Sequence, residues 1–318
     1  MRVEWLNGIY IEYEGLRILI DPVKTPHKRV DLAIISHAHS DHVNPNVIRK
    51  MRRLEFYMTE PTAKLLFRRT PDNVRIVYDG FEFKGVEFKL LDSGHIIGSK
   101  AIMIDDRILY TGDFCTEARI ILNPLRQVKA ETLIIEATYG CDRYVFKDRI
   151  RLYSDLLKMT KFFYEADKLV VFGARSPGVA QEIIALLNHS KIDYEELYVD
   201  GKVYSNSIVH FTYEPIATRF KKRDAVPKRG IYITNIDSAL KLRALAVKSI
   251  IASGLTLDWG LPLTIELSSH ADFWGLVEYA VNTGAEKIYT VYGHSVELAQ
   301  ELRDRGFDAE PLDKMKTI

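Results

Sequence analysis

The chain has 318 residues, of which 47% are hydrophobic, enough to bury the core of one large domain or of two moderate ones. No stretch approaches the roughly eighteen apolar residues that a membrane-spanning helix needs, and the first residues lack the apolar core of a secretory signal. These features argue against a membrane or secreted protein, and we expect a cytoplasmic location without a membrane partner.

The net charge of +1 is unevenly distributed along the chain. Residues 141–253 hold 19 Lys and Arg against 13 Asp and Glu, a net charge of +6, whereas the remaining residues have a net charge of −5. Further basic runs lie at 49–53 and 68–69. This distribution suits a polyanionic ligand, although a solvated helix face is the simpler interpretation of any single run.

The first 140 residues consist of short apolar runs separated by turn residues, a pattern that predicts strands. Two short helices are predicted among them, at 44–53 and 61–69, because each segment has a proline near its start. The predicted strands cover 17–21, 31–37, 55–59, 86–91, 101–105, 107–113 and 132–138.

From residue 148 onward, helices alternate with buried strands. A long amphipathic helix is predicted at 148–167, followed by a strand at 168–174 and a helix from Ser176 to about Asn188. Continued alternation predicts a mainly parallel sheet covered by helices. We interpret 148–253 as an inserted α/β unit. The last predicted elements are a strand at 263–267, a helix at 272–282, a strand at 287–292 and a helix at 295–305.

Four potential metal ligands lie within six positions of the segment ISHAHSDHVNP: His37, His39, Asp41 and His42. Imidazole and carboxylate groups suit Zn²⁺. One compact loop cannot surround two metal ions, but further ligands follow other predicted strands. His95 lies between two glycines, and Asp113 follows a glycine that lets the backbone approach closely. A lone histidine is more often structural, whereas this concentration predicts a metal site.

Several motifs resemble those of a known family. HAHSDH, SGHIIGS and TGD resemble successive motifs of the metallo-β-lactamase-fold hydrolases, and Asp21 in ILIDP resembles a supporting residue of the first motif. IIEATYG, ELSSHAD and VYGHS resemble motifs A, B and C of the β-CASP nucleases. SGHIIGS, IIASG and SSHADFWGL most resemble mRNA 3′-end processing factor-like and ligase-associated exonucleases.

The resemblance implies an α/β fold, namely a metallo-β-lactamase αββα sandwich with an inserted β-CASP α/β domain of mainly parallel sheet. The sandwich would comprise 1–147 and 254–318, and the insert would be 148–253. The resemblance also implies two Zn²⁺ ions per chain. The first ion would be bound by His37, His39 and His95.

The second ion would be bound by Asp41 and His42, with Asp113 bridging the two ions. The motif C ligand is ambiguous. Alignment on the motif's glycine places Tyr292 there, but we favour His294, because Zn²⁺ prefers imidazole to a neutral phenol. The structural alternative for His294 is a helix cap.

Three residues are implied as catalytic: Asp41, Glu136 and His270. A zinc-bound hydroxide would attack phosphorus, His270 would protonate the departing sugar oxygen, and Glu136 would orient His270. Four further residues are candidates for contacts with substrate phosphate: Arg175, Ser176, Ser268 and Ser269. Ser176 is also predicted as a helix N-cap, with Pro177 at the first helical position. With the basic balance of 141–253, these residues predict a basic cleft between the domains for single-stranded nucleic acid.

The predicted function is zinc-dependent hydrolysis of single-stranded RNA in RNA processing or decay. A DNA exonuclease of the same family is the alternative within this class. A small-molecule hydrolase is disfavoured by the insert and by the Glu136/His270 pair, and a non-catalytic subunit by the complete ligand set. Internal or stepwise 5′ cleavage, sequence preference and homodimer formation stay open.

Overall fold

The computed structural model describes residues 1–245 and 247–312, which divide into two compact units. The first unit comprises Met1–Thr116, Asn123–Asp142 and His270–Ile318. The second comprises Glu117–Leu122 and Arg143–Ser269. Among the described residues, none of the helices has the length and apolar character needed to cross a bilayer.

Strands are more numerous than helices in the part of the chain that the structure describes. The strands are β1 (Arg2–Trp5), β2 (Ile9–Tyr13), β3 (Leu16–Ile20), β4 (Leu32–Ile34), β5 (Phe56–Met58), β6 (Val74–Ile76), β7 (Gly80–Phe83), β8 (Val86–Asp92), β9 (Lys100–Ile104), β10 (Ile108–Tyr110), β11 (Thr132–Glu136), β12 (Leu169–Ala174), β13 (Leu197–Val199), β14 (Lys221–Lys222), β15 (Gly230–Thr234), β16 (Ser249–Ala252), β17 (Thr264–Ile265), β18 (Lys287–Val291) and β19 (Ala309–Pro311). The helices are α1 (Pro45–Lys50), α2 (Glu60–Leu66), α3 (Arg149–Asp167), α4 (Val179–Asn188), α5 (Gly201–Tyr213), α6 (Ile236–Ala244), α7 (Thr256–Trp259), α8 (Phe273–Thr283) and α9 (Ser295–Asp304).

Two stacked sheets form the centre of the first unit. One has the strand order β1-β2-β3-β4-β5-β6, and the other has the order β19-β18-β11-β10-β9-β8-β7. Alternate apolar residues of both sheets, such as Ile18 and Phe88, pack into one buried cluster between them. The outer face of the first sheet packs against Ile48 and Ala63 of α1 and α2, and that of the second against α8 and α9. The layers therefore form an αββα sandwich, as predicted.

The second unit contains a single parallel sheet. Its strand order is β14-β13-β15-β12-β16-β17, and all neighbouring strands run parallel. Leu156, Ile183 and Val203 of α3, α4 and α5 pack with the buried strand residues on one face. Ala239 of α6 packs on the other face. This arrangement confirms the predicted parallel sheet covered by helices.

The second unit is wider than the predicted insert at 148–253. Thr264–Ile265 pairs in parallel with β16, so the chain leaves this sheet later than residue 253. The short segment 117–122 also belongs to the second unit, and its Arg119 makes a buried ion pair with Glu182. A strand at 263–267 is predicted, but no local signal indicates which sheet it joins, and the distant ion pair has no strong local signal.

Helix α4 begins later than predicted. Gly178 occupies the N-cap position with φ 131°, and its amide donates to Oε1 of Gln181 at 2.8 Å. Ser176 precedes a cis bond to Pro177, and its hydroxyl accepts hydrogen bonds from Gln181 and Asn206, each at 3.1 Å. The prediction of Ser176 as N-cap and Pro177 as first helical residue is therefore wrong, because the glycine adopts the positive φ that this helix entry requires.

Candidate metal centre

The candidate ligands of the first unit follow the ends of strands in both sheets. His37 lies three residues after β4, His95 three residues after β8, and Asp113 three residues after β10. Glu136 is the last residue of β11. Each of these side chains lies at the end of a buried strand or in the short polar segment that follows one. The packing of the strands fixes where each of these segments begins.

Four histidine rings surround the carboxylate of Asp113, which is only 2% exposed. Its Oδ1 lies 3.0 Å from Nε2 of His42. Its Oδ2 lies 3.3 Å from Nε2 of His37, 3.4 Å from Nε2 of His95 and 3.9 Å from Nε2 of His270. One carboxylate therefore faces ring nitrogens on all of these histidines, as a bridging ligand would.

Side chains of the first unit form three groups whose potential ligand atoms lie within 4.8 Å of one another. These groups are His37, His39, His95 and Asp113; Asp21, His37 and His42; and Asp113, Glu136 and His270. The first group contains the three histidines expected on one ion together with the expected bridging carboxylate. The side chains of this region can hold a divalent metal ion.

The unsatisfied atoms of the cluster fit a cation. Nε2 of His37 and Oδ1 of Asp113 are buried without a hydrogen-bond partner among the residues described. Burial and the neighbouring His42 lower the pKa of His37, and burial with His270 lowers the pKa of His95 well below its ordinary value. Both rings are therefore neutral, so each keeps a nitrogen lone pair. A neutral imidazole is the form that binds zinc.

Asp21 holds residues of the cluster in place through hydrogen bonds. Its carboxylate accepts hydrogen bonds from the amide of Ser36 at 2.7 Å, from the Ser36 hydroxyl at 2.5 Å and from the Tyr110 hydroxyl at 2.8 Å. It also lies 2.9 Å from Nδ1 of His42. Burial disfavours a charged His42, but Asp113 and Asp21 outweigh it and raise the His42 pKa well above its ordinary value. Asp21 thus orients His42 and leaves Nε2 facing Asp113.

Asp41 and His294 belong to none of the three groups. Asp41 is exposed, and His294 occupies the N-cap position of α9 with Nδ1 3.2 Å from Oε1 of Glu297. The ring of Tyr292 lies 4.3 Å from that of His42 between centroids. Tyr292 and Gly293 both have positive φ, which turns the chain into α9. The preference for His294 over Tyr292 as motif C ligand stays a prediction.

Glu136 and His270 form a buried pair beside Asp113. Nδ1 of His270 lies 3.0 and 2.9 Å from the two carboxylate oxygens. The same carboxylate accepts hydrogen bonds from the amide of Phe114 at 2.8 Å and the hydroxyl of Thr138 at 2.5 Å. A carboxylate in this setting is an acceptor, so Nδ1 is the donor and Nε2 faces the cluster.

The four candidates for phosphate contacts lie in the second unit. Arg175 is exposed and Ser176 is half-buried, whereas Ser268 and Ser269 are buried. The backbone oxygen of Ser268 accepts a hydrogen bond from Nη2 of Arg149 at 3.0 Å. Their contacts with a substrate stay a prediction.

Two residues that support the cluster are not predicted from the sequence. Ser36 contacts both Asp21 and Nδ1 of His37, the latter at 3.0 Å, and Tyr110 reaches Asp21 across 89 positions of sequence. The position of Ser36 immediately before the first histidine is a local signal that could identify it. Tyr110 ends a buried strand and has no such signal.

The first unit matches a family model described as a beta-lactamase superfamily domain, over residues 2–105. The chain is 25% identical over 331 residues to a probable DNA ligase of Opitutus terrae, covering 96% of this chain and 30% of that protein. It is 27% identical over 247 residues to an RNase J-like protein of Methanocaldococcus jannaschii, covering 65% and 58%. It is 25% identical over 238 residues to cleavage and polyadenylation specificity factor subunit 3 of Dictyostelium discoideum, covering 63% and 30%.

The chain thus spans between 30% and 58% of the length of these relatives. A crystal structure of an Enterococcus faecalis V583 protein of unknown function has the same fold, with a TM-score of 0.61 at 12% identity. That similarity covers 99% of this chain and 98% of the other. The superfamily match over residues 2–105, the relatives and the αββα sandwich all agree with the β-CASP proteins of the metallo-β-lactamase fold, the family that the sequence motifs resemble.

Proposed function

We propose that the chain is a zinc-dependent nuclease that hydrolyses phosphodiester bonds in single-stranded RNA. The observation that carries this proposal is the Asp113 carboxylate surrounded by ring nitrogens of histidines, with the His270–Glu136 pair beside it. Two relatives support RNA as the substrate, since one is named RNase J-like and another is a cleavage and polyadenylation specificity factor subunit.

Two zinc ions per chain are part of the proposal. His37, His39 and His95 would hold one ion, His42 and Asp41 would hold the other, and Asp113 would contact both. When bound, such a pair of ions lowers the pKa of a water molecule and neutralises charge on the phosphate. Asp21 would keep the His42 ring oriented through the 2.9 Å contact at Nδ1.

His270 would act as the general acid. The Nδ1–H bond to Glu136 fixes the ring and leaves Nε2 to carry the proton that is transferred. Water would first give one proton to solvent; the resulting hydroxide oxygen would add to phosphorus, the bond from phosphorus to the sugar oxygen would break, and the Nε2 proton would pass to that oxygen. The buried Glu136 carboxylate holds the ring in this orientation before the transfer. His270 is therefore proposed to act on the leaving group.

The substrate strand would also be contacted by the second unit. Arg175 is exposed, and its guanidinium group is suited to contact a phosphate. Ser176 already accepts two hydrogen bonds, which leaves its hydroxyl hydrogen available as a donor. Ser268 and Ser269 are buried and would contribute only if the substrate reaches them.

A DNA exonuclease is the second candidate function. One specific observation favours it: 96% of this chain aligns with part of a probable DNA ligase. This match fits the ligase-associated exonuclease-like subgroup that the motifs suggest. The two candidates share the metal chemistry and differ only in the sugar that the site accepts.

One set of incubations tests both candidates. Purified protein, loaded with Zn²⁺ or treated with chelator, is incubated with end-labelled single- and double-stranded RNA and DNA bearing 5′-phosphate or 5′-hydroxyl ends. We expect cleavage of single-stranded RNA only with metal, and product lengths separate internal cleavage from stepwise degradation. Cleavage of DNA alone would favour the second candidate.

A matched pair of variants locates the activity. Asp113→Ala is expected to abolish cleavage, whereas Asp106→Ala is the control, because Asp106 is an exposed aspartate of the same unit paired with Lys89. Circular dichroism checks that both variants are folded. Full activity in metal-free protein, or in folded Asp113→Ala, would refute the proposal.

A further inference from the structure

Three arginines line a cavity of about 640 Å³ in the first unit, away from the metal ligands. We call it the arginine pocket, and it is formed by Arg49, Arg52, Arg69, Asp72 and Asn73 together with Thr70 and Pro71. Its residues come from the end of α1 and from the segment that follows α2. Asp72 is the only acidic residue in the lining that the structure describes.

The charge of this region is opposite to that of the unit around it. The segment 46–73 holds seven basic and three acidic residues, a net charge of +4. The first unit as a whole holds 24 basic and 28 acidic residues, a net charge of −4. The rest of the unit therefore carries −8, and positive charge is concentrated at one place.

The arginines of this region are not neutralised by the protein itself. Among the described residues, Arg52, Arg53, Arg68 and Arg69 take part in no ion pair, and Arg49 donates only to the amide oxygen of Asn46 at 3.3 Å. Three exposed arginines elsewhere in the unit do pair with a glutamate: Arg2 with Glu4, Arg75 with Glu55 and Arg107 with Glu131. A cluster of unneutralised guanidinium groups attracts an external anion.

The pocket is also held in shape. Nδ2 of Asn73 lies within hydrogen-bonding distance of the backbone oxygens of Ile48, Met51 and Leu54, at 3.0, 3.2 and 3.2 Å. These contacts join the end of α1 to the segment after α2. The guanidinium of Arg49 lies 5.3 Å above the ring of Phe67, which restricts its motion. Little further ordering is needed when an anion binds.

We propose that the arginine pocket binds the phosphodiester backbone of single-stranded nucleic acid at nucleotides outside the cleavage site. The inference rests on the proposed function, since it extends the substrate path of the same enzyme. Arginine predominates over lysine in this pocket, and its forked guanidinium matches two phosphate oxygens. A chain of regularly spaced phosphates can contact several of these groups at once.

The helices lead from the metal centre to the pocket. α1 begins three residues after His42, and the N-cap residue of α2, Thr59, donates to the backbone oxygen of Gly98 at 2.7 Å, three residues after His95. Helices of six and seven residues rise by about 10 Å. The pocket therefore contacts phosphates some distance from the bond that is cleaved, and only longer substrates reach it.

The test measures binding without cleavage. The full chain, treated with chelator, is titrated into a fluorescently labelled 20-nucleotide single-stranded RNA at several salt concentrations, and anisotropy is recorded. The test variant is Arg52→Gln/Arg69→Gln. The control is Arg2→Gln/Arg107→Gln, which removes the same charge from exposed arginines that are paired with glutamates.

We expect the test variant to bind about tenfold more weakly at low salt, with the control within about twofold of wild type. The slope of log K against log salt should fall in magnitude by about 1.4, which is about 0.7 for each lost phosphate contact. Equal affinities of the test variant and the control would overturn the inference. A parallel titration uses labelled poly-glutamate. If the test variant lost binding to poly-glutamate and still bound RNA as wild type does, the inference would also be overturned, because the partner would then be an acidic protein.

Activity measurements separate this inference from the proposed function. With metal bound, the test variant should hydrolyse bis(p-nitrophenyl) phosphate at the wild-type rate and show a raised KM on the 20-nucleotide RNA. If the test variant cleaves RNA with an unaltered KM, the proposed function stands and the inference about the arginine pocket is refuted. If wild type never cleaves RNA but the variant binds RNA more weakly, the inference about the pocket stands and the proposed function is refuted. A matched DNA strand reports which sugar is preferred.

Discussion

Each unit has a buried carboxylate that faces cationic or potentially cationic side chains, but the partners of Glu182 and Asp113 differ. Glu182 of the second unit is fully buried and contacts Nη2 of Arg119 at 2.6 Å and Nη1 of Arg149 at 2.9 Å. Tyr153 also donates a hydrogen bond to it. Asp113 of the first unit faces histidine rings, and its Oδ1 has no hydrogen-bond partner among the described residues.

The pKa values show what this difference means. Burial opposes the charge of Glu182, but Arg119 and Arg149 outweigh it and lower the pKa of its carboxyl. Burial likewise opposes the charge of Asp113, and His42 and His270 lower its pKa well below the ordinary value. Arginine cannot lose its proton, whereas an imidazolium can release one to an incoming metal. The Glu182 cluster is therefore closed, meaning that its charges are neutralised within the protein and cannot be exchanged. The Asp113 cluster can release protons from its histidines and bind a cation in their place.

The largest expected effect is that of Asp113→Asn on catalysis. We expect phosphodiester cleavage to fall by about a thousandfold or more, because the amide cannot serve as a charged ligand between two ions. The unfolding free energy of the metal-free protein should change by only about 1 kcal/mol, since the neighbouring histidines can lose their protons and leave no buried charge unpaired. Steady-state kinetics and urea unfolding in chelator measure the two quantities.

A large loss of stability in metal-free Asp113→Asn would contradict the proposed difference between the Asp113 and Glu182 clusters. If Asp113→Asn unfolded the metal-free chain as severely as a buried ion-pair mutation does, the cluster would be a closed structural network. The stabilisation by added Zn²⁺ provides the control. It should be large in wild type and much smaller in Asp113→Asn, because a ligand stabilises only the state that binds it.

The next effect is a loss of stability in the second unit. Glu182→Gln leaves two buried guanidinium groups without their carboxylate, which costs about 3–5 kcal/mol of unfolding free energy. Urea unfolding followed by tyrosine fluorescence and circular dichroism measures it. Glu195→Gln is the control, since Glu195 makes an exposed pair with Arg229 and its loss should cost about 1 kcal/mol or less. Equal losses in both variants would mean that the buried network adds no stability.

A third prediction concerns the general acid. His270→Ala should lower kcat by about a hundredfold or more while changing KM little, because the imidazole acts on the leaving oxygen and not on substrate binding. Single-turnover cleavage and equilibrium binding of the same RNA measure chemistry and affinity separately. Equal losses in both would instead indicate that His270 contacts the bound substrate or a metal ion, as its proximity to Asp113 permits.

The sequence predicts those parts of the molecule whose signals are local. The HAHSDH segment, His95 and Asp113 stand directly after apolar runs, so strand ends and ligands are predicted together. The parallel sheet of the second unit follows from the alternation of helices and strands. Motif resemblance can suggest Glu136 beside His270, whereas the distance between these residues, 134 positions apart in sequence, depends on the fold.

Other features depend on contacts that the sequence does not encode locally. The Arg119–Glu182 ion pair joins residues 63 positions apart, and nothing in either segment indicates that both charges are buried. The ring of Tyr292 packs beside His42 where two consecutive residues adopt positive φ. Backbone conformation of this kind is set by the packing of Gly293 against Ala137 and Thr138, which only the structure reveals.

The smallest effect distinguishes the two clusters by pH. His210 of the second unit is buried, both ring nitrogens lack hydrogen-bond partners among the described residues, and burial followed by the charge of Arg119 lowers its pKa to about 3. The unfolded chain binds this proton near pH 6.5 and the folded chain does not. The unfolding free energy should therefore decrease as pH falls below about 6.5, by up to about 1.4 kcal/mol per pH unit, and continue to do so toward pH 3.

The variant His210→Phe removes this contribution and keeps a ring of similar size. The difference in unfolding free energy between wild type and variant should be constant between pH 7 and pH 8 and should shift by about 2 kcal/mol in favour of the variant at pH 5. Contributions from the metal centre cancel in this difference, since both proteins share it. The exposed His27→Gln is the control and should parallel wild type. If the difference in unfolding free energy stayed constant down to pH 5, His210 would bind its proton in the folded protein as it does in the unfolded chain. The interior of the second unit would then accept a proton, contrary to this prediction.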